Sequence, residues 1–456
     1  MAIGTRLWRF PVTMVPASDS AVQAAPAEAR PVDASERLEL LDALRGFALL
    51  GVFVSNVMMW FSGRVFRPPE VAEAADKAAP LLDSITQYAY EILVSGKFIT
   101  LFAFLFGLGF AVQLGRAEAR GASIAPLYAR RLVVLFGIGL MHLFLLWYGD
   151  ILASYAVMGF GLLLLRRRSA RTLLIVAAAL CFVWPIIQIV IIRLPRILAD
   201  TPEAGAAIMK AARERSLANQ AELLAVITQG SWLNVVIQNA RYYIADFLPM
   251  IAVSSLSTLG RFVLGLWAGQ QRIFHDVSRH LRLFRRMLGW GLVAGVVGSS
   301  AGLTVHLLMR FKVYTPETLP LWIPYVLAPL RNLAQIGFAA AYVACITLLF
   351  QRTVWQRVLS VLAPAGRMAL TNYLSQTVIS LLVFYGFGLG QVSKHGPFAC
   401  VVFCLSIFCV QVLWSHLWLA RFRFGPVEWV WRSLTYGKAQ PMRRSSSDSP
   451  PSPMAA

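Results

Sequence analysis

Leu41-Asp42-Ala43-Leu44-Arg45-Gly46-Phe47-Ala48-Leu49-Leu50-Gly51-Val52-Phe53-Val54-Ser55-Asn56-Val57-Met58-Met59-Trp60-Phe61 is an apolar run whose only ionisable side chains, Asp42 and Arg45, stand in its first turns. A hydrocarbon layer about 30 Å thick is crossed by about 20 apolar residues of helix, so the stretch reads as a transmembrane helix. Apolar runs of similar length recur at 97–115, 128–147, 150–166, 172–192, 244–268, 287–309, 328–350, 366–389 and 397–420, each set off by a short basic or Gly/Pro-rich stretch. The spacing predicts an all-α, polytopic membrane bundle of about ten helices over residues 37–438. Residues 1–36 and 439–456, rich in Ala, Pro and Ser, read as disordered ends on the cytoplasmic side.

Composition agrees with the bilayer. Of 456 residues 58% are hydrophobic and 14% charged, whereas soluble domains carry about a quarter charged residues. The net charge of +20 raises the question of nucleic acid, but the arginines sit in turns between apolar runs instead of on one soluble face. That is the pattern of positive charge retained on the cytoplasmic side of a membrane. With the N-terminus inside, the cytoplasmic segments carry nearly twice the Lys and Arg of the outer ones, including Arg166–Arg171 and Arg279–Arg286. Both termini are therefore expected in the cytoplasm. The five cysteines lie inside apolar segments without metal-ligand spacing, so no metal site is expected. Two segments, 84–95 and 424–436, mix aromatic, apolar and charged residues as helices lying on the membrane surface do.

Ionisable side chains inside a bilayer are costly, and those that persist face a partner or a cavity. Asp42 and Arg45, three apart, can pair at the inner end of the first span. Arg45 and Asn56, eleven apart, return to nearly the same helix face. Arg45 reads equally as snorkelling or as facing a recess, and Asn56 as interhelical glue or as a pocket residue. Asn56, Lys97, His142, Asp150, Asp246 and Arg331 all fall near the outer ends of their spans. The turn between His142 and Asp150 brings the two within reach. A carboxylate beside an imidazole orients it and favours its charged form, which suits acid–base work; the same pair also reads as a clasp closing a helix hairpin. At the inner side Arg367, Thr371 and Ser375 align on one helix face, flanked by Asn372 and Gln376. With Arg45 and Arg261 they make either a cationic recess suited to phosphate or polar contacts between helices.

Four stretches carry a resemblance. They are Arg37-Leu38-Glu39-Leu40-Leu41-Asp42-Ala43-Leu44-Arg45-Gly46; Lys97-Phe98-Ile99-Thr100-Leu101-Phe102 with His142 and Gly149-Asp150-Ile151-Leu152; Gly366-Arg367-Met368-Ala369-Leu370-Thr371-Asn372-Tyr373; and Gly425-Pro426-Val427-Glu428-Trp429-Val430-Trp431-Arg432. From about residue 37 to 438 the chain is similar to the YeiB-like bacterial membrane proteins, domain of unknown function 418. The opening helix also resembles that of transmembrane acyltransferases, including the heparan-glucosaminide acetyltransferase group and the sugar O-acyltransferases.

The resemblance implies a protein of the bacterial cytoplasmic (inner) membrane that uses acyl-CoA from the cytoplasm to acylate a glycan, lipid or small-molecule hydroxyl on the far side. His142 then takes the acceptor proton with Asp150 holding its ring. Asn56, Lys97, Arg331 and Asp246 contact the acceptor, and Arg45, Asp42, Arg367 and Asn372 contact CoA. The sugar O-acyltransferases carry a histidine near the outer end of the first span, where this chain has Asn56, so the resemblance passes that role to His142. Two other functions fit the same residues. One is a transporter using Asp150, Asp246, Arg331 and Arg45, with Pro185 and Pro249 as its helix breaks; the other is a non-catalytic membrane partner.

Overall fold

The structure is a computed structural model that describes residues 38–119, 125–311, 313–314 and 319–444. The expected N-terminal disordered segment, 1–36, lies outside the described residues. Among the described residues eight helices are long and apolar enough to cross a membrane, and two shorter apolar helices, Leu152–Leu165 and Ala369–Phe384, accompany them. These match the ten expected spans, and the chain is a polytopic membrane bundle.

The order begins with α1 (Glu39–Asn56), which runs on through a π-helical turn at Val57–Phe61. Two short helices follow, α2 (Pro69–Lys77) and α3 (Leu81–Ala89), and a second π turn at Tyr90–Val94 leads to α4 (Lys97–Ala119). Helices α5 (Ala125–Leu145) and α6 (Leu152–Leu165) form a hairpin. Next, α7 (Ala170–Ala178) and α8 (Trp184–Ile197) are joined by a π turn at Ala179–Val183. The stretch 193–243, expected as a long connection, is largely helical: α9 (Pro202–Gln229) and α10 (Trp232–Tyr242). A fourth π turn, Tyr243–Phe247, enters α11 (Leu248–Gln270), followed by α12 (Leu281–Arg310) and α13 (Ile323–Leu349). The chain closes with α14 (Thr353–Ser360), α15 (Ala363–Arg367), α16 (Ala369–Phe384), α17 (Pro397–Arg421) and α18 (Pro426–Tyr436).

Local chemistry sets several of these boundaries. Ser169, Thr201 and Ser231 each accept a backbone N–H from three residues on, capping α7, α9 and α10. Proline opens α9, α17 and α18 at the position where its missing N–H costs nothing. The end of the chain is ordered further than composition suggested. Residues 438–444 fold back on α17, with the Arg423 N–H donating to Met442 O at 2.9 Å and the Arg444 N–H to Arg421 O at 3.1 Å. Residues 439–444, expected as the start of a disordered tail, are thus bonded to the end of α17, and residues 445–456 lie outside the described residues.

Helix α1 is the hub, with twelve of its eighteen residues buried. A helix apolar on all sides belongs in the middle of a bundle. At its Glu39 end α15 comes against it backbone to backbone: a Cβ on Gly366 would stand 1.9 Å from Asp42 O, and one on Gly46 would stand 2.3 Å from Leu362 O. Only glycine permits that approach.

The motif around Glu428 fastens the same end. Glu428 Oε1 accepts the backbone N–H groups of Leu370 and Thr371 at 2.7 and 3.0 Å. Its Oε2 accepts the Thr371 hydroxyl at 2.5 Å, and Thr371 Oγ1 accepts the Val427 N–H at 3.1 Å. A carboxylate thus satisfies two orphan donors at the start of α16, where the helix dipole also favours negative charge. Burial pushes the Glu428 carboxyl up, while these hydrogen bonds pull it down.

Two stability effects are expected. Gly366→Ala lowers the thermal unfolding temperature in detergent, whereas Gly115→Ala, in open space on α4, leaves it unchanged or raises it slightly. Glu428→Ala costs about 2 kcal/mol through the orphaned donors; an unfolding temperature equal to the parent's contradicts the capping role.

Candidate functional site

A cleft of about 1550 Å³ opens at the Asn56 end of α1. That is larger than the roughly 300–1,000 Å³ usual for a small-molecule pocket. Its lining joins Ser55 and Asn56 of α1, Lys97 of α4, and Arg331 and Gln335 of α13. Arg64 and Arg67, in the segment after the first π turn, contribute from another side, together with Ser393 and Lys394 before α17. The segment from Ala75 to Gly96 adds Asp76, Asp83 and Glu91, and α8, α11, α12 and α13 close the far side with mostly apolar residues among which Gln188, Ser254, Ser299 and His306 are polar.

The π turns explain how side chains reach this space. Each inserts extra backbone into a helix, and such bulges are frequent at functional sites. Met59 and Trp60, on the first turn, and Tyr90 and Glu91, on the second, line the cleft. The third and fourth turns precede Pro185 and Pro249, which also line it. Both prolines, expected as helix breaks, are thus accommodated by loosened turns instead of gaps in the helix.

Lys97 is buried, and its ammonium donates to the Glu91 carbonyl within the second π turn. Below the cleft Arg261 donates to Asn332 Oδ1 at 2.9 Å and to Gln335 Oε1 at 2.6 Å. Of the two readings open for Arg261, a cationic recess or polar contacts between helices, these bonds take the second and brace α13 behind a residue of the cleft wall.

His142 and Asp150 do meet, at 2.8 Å between Nδ1 and Oδ1, and neither lines the cleft. The other imidazole nitrogen, Nε2, is 3.0 Å from Thr377 Oγ1, and Asp150 Oδ2 accepts the Ala153 N–H at 2.7 Å. Their side chains are 1% and 0% exposed. Every polar atom of the His142–Asp150 pair therefore has a partner inside the bundle. The arrangement clasps the α5–α6 hairpin, caps the start of α6 and ties both to α16. Thr377 was not singled out from sequence; one threonine on an apolar helix gives no signal of its own.

Asp246 lies apart as well. Its Oδ2 accepts Asn219 Nδ2 at 2.7 Å, which pins α9 to the fourth π turn. Of the four residues expected to contact an acceptor, Asn56, Lys97 and Arg331 share the cleft and Asp246 does not line it.

The Glu39 end holds a separate polar group. Asp42 Oδ1 and Arg45 Nη1 are 2.8 Å apart, with Arg45 about one-third exposed. Nearby elements add Arg131, whose Nη1 donates to Gln113 Oε1 at 3.1 Å and whose guanidinium stacks 4.0 Å over the Trp431 ring. Arg367 ends α15 at this end and is half-buried. Asn372 is buried, its amide donating to Ala365 O and Ser415 Oγ at 3.2 and 3.1 Å; it spends its donors on helix contacts. Gln376 likewise donates to Gln411 Oε1 at 2.8 Å.

The chain has relatives along nearly its whole length. It is 31% identical over 437 residues to the uncharacterized protein YxaH of Bacillus subtilis, covering 91% of this chain and 98% of the relative. It is 28% identical over 418 residues to the uncharacterized protein YeiB of Escherichia coli, covering 89% and 98%. No solved structure matches. The family described as protein of unknown function, DUF418, matches residues 268–438, from the last turn of α11 through α18. With that segment matched and 98% of YxaH covered at 31% identity, the chain belongs to the DUF418 family.

Proposed function

We propose that the protein is a membrane-bound acyltransferase of the bacterial cytoplasmic membrane, taking an acyl group from acyl-CoA at the Glu39 end of α1 and delivering it to a hydroxyl held in the cleft at the Asn56 end. The observation that carries this is the distribution of polar groups on the buried hub helix: Arg45 at one end, and Asn56 beside Lys97 in a cleft at the other. Eleven residues separate Arg45 and Asn56, about 16 Å at 1.5 Å per residue. An extended acyl-thioester arm can bridge that distance. The basic turns at Arg166–Arg171 and Arg279–Arg286 favour a cytoplasmic Glu39 end.

In this reading Arg45 and Arg131 attract CoA phosphates. The acceptor oxygen attacks the thioester carbonyl; a C–O bond forms, the C–S bond breaks, and the departing thiolate takes the hydroxyl proton. Lys97 and Asn56 supply hydrogen-bond donors for the negative charge that develops on the carbonyl oxygen. His142 and Asp150, which the resemblance implied as catalytic, hold the helices that frame the site. A transport reading is favoured by one observation, the four π-helical turns that border or enter the cleft wall. Under it a solute crosses proteoliposomes without covalent change.

Purified protein is expected to release CoA from acyl-CoA when bacterial envelope extract is added. Lys97→Met should lower that turnover about 100-fold or more, and Arg45→Gln should raise the KM for acyl-CoA about tenfold. CoA release no greater than from empty membranes, with every extract tried, would sink the reading. His142→Ala leaves Asp150 buried without its partner and is expected to cost about 3 kcal/mol of stability. A His142→Ala protein as stable as the parent but without turnover returns the histidine to the chemistry.

A further inference from the structure

We infer that the cleft binds an anionic lipid, with a phosphate-bearing headgroup on its cationic side and acyl chains along its apolar wall. The inference names the acceptor class for the proposed acyl transfer and rests on that reading for the chemistry, though not for the binding.

Charge comes first. Five cationic side chains line the cleft, Arg64, Arg67, Lys97, Arg331 and Lys394, against three carboxylates, Asp76, Asp83 and Glu91. The carboxylates are partly committed elsewhere. Asp83 Oδ1 accepts the Phe398 N–H at 2.9 Å at the start of α17, and Glu91 Oε1 accepts Gln87 Nε2 at 3.3 Å. Asp76 stands 4.0 Å from Arg64 Nη2. Among the described residues Arg331 and Lys394 have no carboxylate partner. Three buried polar atoms on cleft residues also have no partner: Arg64 Nη1, Ser299 Oγ and Ser393 Oγ. Such atoms also occur away from the cleft, as at Trp147, Tyr148 and Ser380, so it is the excess of cationic side chains that marks the cleft as a place for an oxyanion. Arginine's forked donors match phosphate oxygens two at a time.

The apolar side selects a lipid over a free phosphate. Ile189 and Ile192 of α8, Met250 and Val253 of α11, Leu303 of α12 and Leu327 of α13 line it. Two of these helices belong to the least enclosed spans of the bundle. The apolar windows of Ala170–Ile197 and Ser278–Met309 are only 17% and 11% buried, against 72% for Glu39–Phe66. In a bilayer α8 and α12 are therefore bathed by acyl chains, and a cleft wall built from them continues the lipid phase. Basic pockets between membrane helices bind anionic headgroups in this way. The volume, about 1550 Å³, also exceeds what a small anion fills.

Native mass spectrometry of the full-length protein in detergent, titrated with phosphatidylglycerol, phosphatidylcholine or inorganic phosphate, tests this. Phosphatidylglycerol is expected to bind at about tenfold lower concentration than phosphatidylcholine, and Arg331→Gln or Arg64→Gln to weaken it by about tenfold. Arg331→Lys keeps the charge but not the fork and should bind between the parent and Arg331→Gln, a graded loss that misfolding would not give. Equal binding of the two lipids, or Gln variants that bind like the parent, overturns the inference. So does complete displacement of phosphatidylglycerol by millimolar inorganic phosphate, which would make the site one for a free anion. Lipid selectivity without CoA release sinks the acyl-transfer reading alone; CoA release with a water-soluble acceptor and no lipid selectivity sinks this inference alone.

Discussion

A polar atom inside a bilayer has no water to turn to, so it finds a partner within the bundle or faces a cavity. That constraint sorts the polar side chains of this protein into separate populations. His142, Asp150 and Thr377 complete one another and are closed off; Glu428, Thr371, Asn372, Gln376 and Gln411 are likewise spent on joining α16, α17 and α18. Asn56, Lys97, Arg64, Arg67 and Arg331 instead border one cleft. The same physics that makes the first population structural leaves the second facing a cavity.

The hub helix connects these populations. Its Glu39 end is gripped by α15 through glycine contacts, which puts Asp42 and Arg45 beside Arg131 and the α18 cap. Its other end loosens into a π turn and presents Ser55 and Asn56 to the cleft. A rigid, buried rod with a charged group at one end and an amide at the other holds two sites in fixed register. Acyl transfer from a donor on one side to an acceptor on the other needs such a spacing. The lipid-facing helices α8 and α12 are little enclosed by the bundle and form part of the cleft wall, so the cleft is shaped by the bilayer as well as by the protein.

Much of the fold was legible in the sequence because crossing lipid leaves a strong signal: length and hydropathy alone placed every span, and the tryptophan-rich stretch at 424–436 became α18. The connection 193–243 was harder, because α9 is polar on most sides and carries no amphipathic stripe; it is held by neighbours such as Asp246, which bonds Asn219. At the site, spacing put His142 next to Asp150 and grouped Asn56, Lys97 and Arg331 at one end. Depth was invisible. Nothing in one-dimensional spacing says that Thr377 seals the imidazole, that Arg261 turns toward Asn332 and Gln335, or that Arg64 and Arg67 fold back to the cleft. Those depend on which helix faces pack, and the π turns that aim them have no composition signature.

The separation between an open cleft and a sealed histidine network is tested most directly by cysteine labelling in intact cells. Asn56→Cys and Arg331→Cys should react with a membrane-impermeant maleimide added from outside, above the background of the parent chain, while Thr377→Cys should stay unlabelled until the protein is unfolded. Labelling of Thr377→Cys as fast as Asn56→Cys would contradict the account, as would labelling of Asn56→Cys only after the cells are made permeable.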